Sequence, residues 1–171
     1  IDITNTSFVP KHGYDYFIDN CHHLERLVPL LGAQCVKIFH ATTAHWKFNN
    51  AAEQKRFDGL YERRGVRLAP DRVMPPNRAI ELCDLATLLG NGFTAGTYAY
   101  AGKEIIRIPV STTHTYPPPD QKDFMGAKNN FIWFGGVPPV HKGVDLVLEA
   151  FSKMPEYNLV LVGKINPNDH F

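Results

Sequence analysis

Residues 131–163 read F-I-W-F-G-G-V-P-P-V-H-K-G-V-D-L-V-L-E-A-F-S-K-M-P-E-Y-N-L-V-L-V-G, and this stretch decides the fold class. The opening F-I-W-F is a short apolar run stopped by glycine, which reads as a strand. A Gly/Pro loop follows over 135–142. Val144, Val147, Leu148 and Phe151 then recur at i, i+3, i+4 and i+7, which predicts an amphipathic helix over 143–154. The run N-L-V-L-V at 158–162 predicts a second strand, closed by Gly163. Strand, loop, helix and strand make one β-α-β unit.

Immediately upstream the pattern breaks. Residues 111–127 hold Pro117, Pro118 and Pro119 among polar residues with no periodicity, as expected of a linker stiffened by its prolines. Further upstream, strand and helix alternate at short spacing. Phe17, Cys21, Leu24, Val28 and Leu31 predict a helix over 15–31, stopped by Gly32. The run C-V-K-I-F predicts a strand at 35–39, and residues 40–48 a loop. A helix is predicted over 50–64, with Asn50 and Glu53 as a capping box and Phe57, Leu60 and Tyr61 on one face. A short helix at 77–83, a strand at 85–89, a helix at 93–101 and a strand at 105–110 complete the series. Such alternation argues an α/β fold with parallel sheets.

Composition narrows the function classes. Hydrophobic residues make up 44% and charged residues 20% of the 171, which suits a chain with a buried core. Eighteen basic and 17 acidic residues leave a net charge of +1, too small a field to hold nucleic acid or an anionic membrane. No apolar run reaches the ~18 residues of a membrane span, and the front of the chain has no signal-peptide pattern. Cys21, Cys35 and Cys83 are odd in number and widely spaced, with no C-x-x-C. Buried, reduced thiols in a cytoplasmic protein are the expectation.

Candidate chemistry sits in two loops. The first is G-G-V-P-P-V-H-K-G, from Gly135 to Gly143, between a strand and a helix. Backbone N–H groups and the positive end of a helix dipole converge there, and Lys142 adds a full charge, which suits a phosphate. A plain βα turn has the same composition. Neither the P-loop nor the dinucleotide spacing is present. The second is T-A-H-W-K-F-N-N-A-A-E at 43–53, where His45 lies in a loop leaving a strand. A ligand-facing His45 and a structural one both fit, and Trp46 either stacks on a sugar or packs on the helix at 50–64. His40 reads as structural, at the end of its strand. His22 and His23 are adjacent and point about 100° apart on a helix, a poor arrangement for one metal ion.

The stretch at 131–163 resembles the start of the C-terminal domain of family 4-type (group 1) glycosyltransferases, which have two facing Rossmann-like domains in the GT-B arrangement. The shared pattern is a strand, a G-R-x-x-x-x-K-G loop, a D-L-x-x-x-A-F helix and a strand ending in V-G. L-C-D-L-A-T-L-L-G-N at 82–91 and I-I-R-I-P-V-S at 105–111 resemble strands of that family's N-terminal domain. The resemblance implies that residues 1–112 are the latter part of an acceptor-side Rossmann-like domain. It makes 113–127 the linker and 128–171 the first βαβ of the nucleotide-sugar (donor-side) domain. It implies glycosyl transfer from a nucleotide-sugar donor to an acceptor that is a glycan, lipid or small molecule, with no obligatory metal. Gly135, Gly136, Lys142 and Gly143 would hold the donor diphosphate. His45 would lie in the interdomain cleft near the transferred sugar, a resemblance its T-x-A-H-W-x-F setting shares with one subgroup. Val137 stands where the family pattern has Arg, and the family's E-x7-E motif would lie beyond Phe171. The chain is therefore expected to be a fragment of the enzyme. A non-catalytic nucleotide-binding or interaction module is the alternative.

Overall fold

A computed structural model describes residues 1–164, which fall into two compact units. The first comprises residues 1–49 and 74–112; the second comprises residues 50–73 and those from 113 onward. The segment 50–73 thus groups with the second unit.

In the first unit, β1 (Tyr16–Asp19), β2 (Val36–Ala41), β3 (Leu85–Leu89) and β4 (Ile105–Ile108) lie side by side in chain order, every pair parallel. The short helix α1 (Leu24–Leu27) connects β1 to β2. The long helix α2 (Trp46–Arg64) and the short α3 (Ala79–Leu82) lie between β2 and β3, and α4 (Gly92–Gly96) lies between β3 and β4. Parallel strands require such crossovers, and consecutive strand order is what one half of a doubly wound sheet shows. The fold is therefore Rossmann-like α/β.

Register decides which side chains meet. Phe39 pairs with Ala86 and Ala41 with Leu88 across β2 and β3, so all four share one face of the sheet. That face packs on Leu24, Ile80 and Tyr98, each buried. A fully buried Leu or Ile contributes about 1.5–3 kcal/mol. On the opposite face His40 pairs with Thr87, its Nδ1 2.7 Å from Thr87 Oγ1. His40 is thus a ladder residue of β2. Cys35 and Cys83 are buried and Cys21 half-buried, all as free thiols. Burial pushes the thiols of Cys21 and Cys83 up.

In the second unit, α5 (Phe124–Ala127) precedes β5 (Asn130–Phe134), α6 (Val144–Phe151) and β6 (Asn158–Val162). β5 and β6 pair in parallel from Asn130↔Asn158 to Phe134↔Val162. Phe57, Leu60 and Val140 form the small core of this unit, with Val66 against it. Residues 111–123 are exposed throughout.

Several predicted elements differ. The helix expected over 15–31 is instead β1, then α1, then a 3-10 turn at Val28–Leu30. Cys21 has φ 92, which no helix tolerates, and Asp19 Oδ2 accepts the N–H groups of His23 and Leu24 at 2.8 and 2.9 Å, starting α1 there. The loop expected over 40–48 is shorter, because β2 runs to Ala41 and α2 starts at Trp46. Asn50 is therefore inside α2, and Glu53 caps nothing: it is buried and bonded to His141 and Arg72. The helix expected over 93–101 is split into α4 and a 3-10 turn at Ala99–Ala101.

Candidate functional site

Each unit holds one constellation. In the first, His45 directly precedes α2 and is 4% exposed. The N–H of Lys47 donates to His45 Nδ1 at 3.3 Å, so the imidazole caps the second position of α2. The N–H of His45 donates to Thr97 Oγ1 at 2.9 Å, tying the residue to the segment after α4. Its Nε2 lies 3.1 Å from Tyr100 Oη. Edge-on contacts with the rings of Tyr98 and Tyr100, at centroid distances of 5.4 and 5.1 Å, complete the packing. Burial, reinforced by Lys47, holds the His45 pKa below the usual histidine value.

The outer wall of this site comes from α3. Tyr100 Oη donates to Glu81 Oε1 at 3.1 Å, and Arg78 Nε donates to Glu81 Oε2 at 2.8 Å. The bond from Arg78 lowers the Glu81 pKa, while burial and Glu81 raise that of Tyr100. Trp46 closes another side: its indole N–H donates to Asn77 O at 3.1 Å, and Lys47 Nζ lies 5.5 Å from the ring centre. These groups line a pocket of about 420 Å3, to which Glu25 contributes a second carboxylate. Trp46 is therefore a wall of this pocket, pinned by its N–H.

In the second unit the loop after β5 is built around Trp133. The indole N–H donates to Lys142 O at 3.2 Å, and Gly135 N–H donates to Val162 O at 3.0 Å. A Cβ on Gly135 would lie 2.2 Å from the Trp133 ring. Gly143 has φ 80, the left-handed conformation that favours glycine, and it leads into α6. Gly136 has open space around it. Lys142 is exposed, and its ammonium has no ion pair among the described residues. The Val137–Pro138 bond is cis.

Charge around this loop is arranged by α2 and the segment after it. Asp145, in the first turn of α6, is fully buried; it accepts from Arg56 Nη2 and, at 2.8 Å, from Arg63 Nη2. Arg63 Nε also lies 3.4 Å from Glu149. His141 Nδ1 donates to Glu53 at 2.5 Å, and Arg72 Nη1 lies 3.4 Å from His141 Nε2. The acid at the helix N-terminus is thus met by two guanidinium groups, and Lys142 is in none of the ion pairs among the described residues.

His23, the other histidine of the adjacent pair, is buried with Nε2 2.9 Å from Asp2 O. No group of three or more His, Cys, Asp or Glu among the described residues could hold a metal ion. No helix among them is long and apolar enough to cross a membrane.

Compared with protein-family models, with curated proteins and with solved structures, the chain matches none. His45 and Lys142 are the residues the sequence singles out; Tyr100, Glu81 and Arg78, which line the pocket with His45, are not among them. Arg78, the N-cap of α3, and Glu81, in its first turn, are spaced i, i+3, a spacing visible in the sequence. Tyr100 carried no local signal, because its partners lie 19 and 55 positions away.

Proposed function

We propose that the protein is a glycosyltransferase that moves a sugar from a nucleotide-sugar donor to an acceptor. The observation that carries this reading is exposed Lys142, without an ion pair among the described residues, at the end of a βα loop beside Gly143 and the N-terminus of α6. Such a position favours an anion through the helix dipole and a full positive charge together. Gly136 adds no side chain to the loop, and Gly135 has no room for one against the Trp133 ring. The chemistry is stabilisation of a departing nucleoside diphosphate by fixed positive groups, which needs no metal. His45 and its pocket belong to the acceptor-side unit on this reading, and the site of action is the cytoplasm.

Full-length protein incubated with UDP-glucose, UDP-N-acetylglucosamine and GDP-mannose should release nucleoside diphosphate from one of them when an acceptor extract is added. Release should persist in EDTA. Val137, in place of a second cation, favours the non-catalytic nucleotide-binding module as the second reading. Tight nucleotide binding without release would select it, and neither binding nor release with any donor would contradict both.

A further inference from the structure

The bonds around His45 run in one direction. Lys47 N–H donates to Nδ1, so Nδ1 carries no proton and the proton of the neutral ring is on Nε2. Nε2–H therefore donates to Tyr100 Oη. Tyrosine has a single hydroxyl proton, and Tyr100 gives it to Glu81, whose other oxygen is held by Arg78. The chain starts at the positive end of α2 and ends on a carboxylate. Buried His45 has no nitrogen left for a ligand. Tyr100 is 56% exposed and keeps one acceptor lone pair, and Glu81 keeps acceptor sites of its own.

We propose that Tyr100 and Glu81 are the ligand-contacting pair of this pocket, that they accept hydrogen bonds from the hydroxyl groups of a neutral polyol, and that His45 is the positioning residue that aims the Tyr100 proton away from the ligand. Two cations, Lys47 and Arg78, face two anions, Glu25 and Glu81, so the pocket has no net charge to attract an ion. The rings of Trp46 and Tyr100 supply apolar walls suited to the C–H faces of a polyol. The proposal deepens the glycosyl-transfer reading, on which it rests only for naming this pocket the acceptor side.

The test uses full-length protein labelled at histidine 15N and tyrosine 13Cζ, with methyl α-glucoside, glucose and glycerol as probes. His45 should be a neutral Nε2–H tautomer at pH 7, and its Nε2 proton should exchange with solvent about tenfold faster in Tyr100→Phe than in the wild type. At least one probe should shift the Tyr100 signal. The apparent Kd should rise about 3- to 10-fold in Tyr100→Phe, read from other pocket signals, as for loss of one hydrogen bond. His45→Ala should weaken the probe response and His45→Gln, which can accept from Lys47 N–H and donate to Tyr100, should restore part of it. No response to any of the three probes, equal Kd values in Tyr100→Phe, or unchanged proton exchange would each overturn the proposal. Failure to bind nucleotide-sugars in a separate titration would count against glycosyl transfer and leave these readouts intact.

Discussion

Asp145 has no exposed surface, and its carboxylate is met by Arg56 and Arg63 from a segment more than eighty positions earlier. Removing one partner of a buried ion pair leaves the others uncompensated, at a cost of about 3–5 kcal/mol. Both arginines are partly exposed, so the lower end applies: Asp145→Ala should destabilise the chain by about 3 kcal/mol in urea unfolding. A loss under about 1 kcal/mol would mean that water already compensates the guanidinium groups. His45 supplies a pH dependence. Its folded pKa lies below the unfolded value near 6.5, so the folded form takes up its proton less readily. The stability this contributes is complete above that value and is lost as pH falls through the lower, folded pKa. The unfolding midpoint should therefore drop on acidification from about pH 7.5 to about pH 5, and His45→Gln should flatten the drop. An identical pH profile in the variant would show that His45 does not titrate differently on folding. Neither feature was legible in sequence. Asp145 stands only two positions past Gly143 with no local partner, and His45 reads as a loop residue, because partners of each come from distant segments.

At the scale of elements, legibility followed local strength. β3 and β6 lie where apolar runs predicted them, and α6 where Val144, Val147, Leu148 and Phe151 did, because each element is specified by its own neighbours. The helix expected over 15–31 failed for a tertiary reason. Its spacing is helical, but Tyr16–Asp19 pairs residue by residue with β2, and ladder bonds outweigh a periodic pattern at an edge. Asp19 followed by Asn20 was the available signal, a capping and turn pair rather than helix interior. The boundaries of α2 were missed at its N-terminus because the cap is a histidine side chain, outside the usual Ser, Thr, Asp and Asn set. A conventional cap opens α4, where Asn91 Oδ1 accepts from Thr94 N–H at 3.1 Å. Asn91→Ala should cost about 1 kcal/mol in thermal or urea unfolding, and Asn91→Asp should keep most of the stability. Equal losses in the two variants would place the role of Asn91 elsewhere than the cap.

For the whole molecule, two parallel α/β units were legible from the alternation of strands and helices, whereas the grouping of residues 50–73 with the second unit was not. Residues 50–64 carry no signal for their partners; only the fold brings Glu53 to His141 and Phe57 and Leu60 into the cluster with Val140. Residues 111–123, within the linker expected over 111–127, are exposed, and trypsin should cut first at Lys122 within them. First cleavage inside 35–108 would contradict that. Titrating full-length wild type and Lys142→Ala with the same nucleotide-sugar donor tests most directly the proposal of a nucleotide-sugar enzyme with its diphosphate on Lys142. A charge-assisted contact of about 1.5–3 kcal/mol predicts a Kd roughly 10- to 150-fold higher in the variant, with unfolding unchanged. Equal Kd values in two folded proteins would contradict the account.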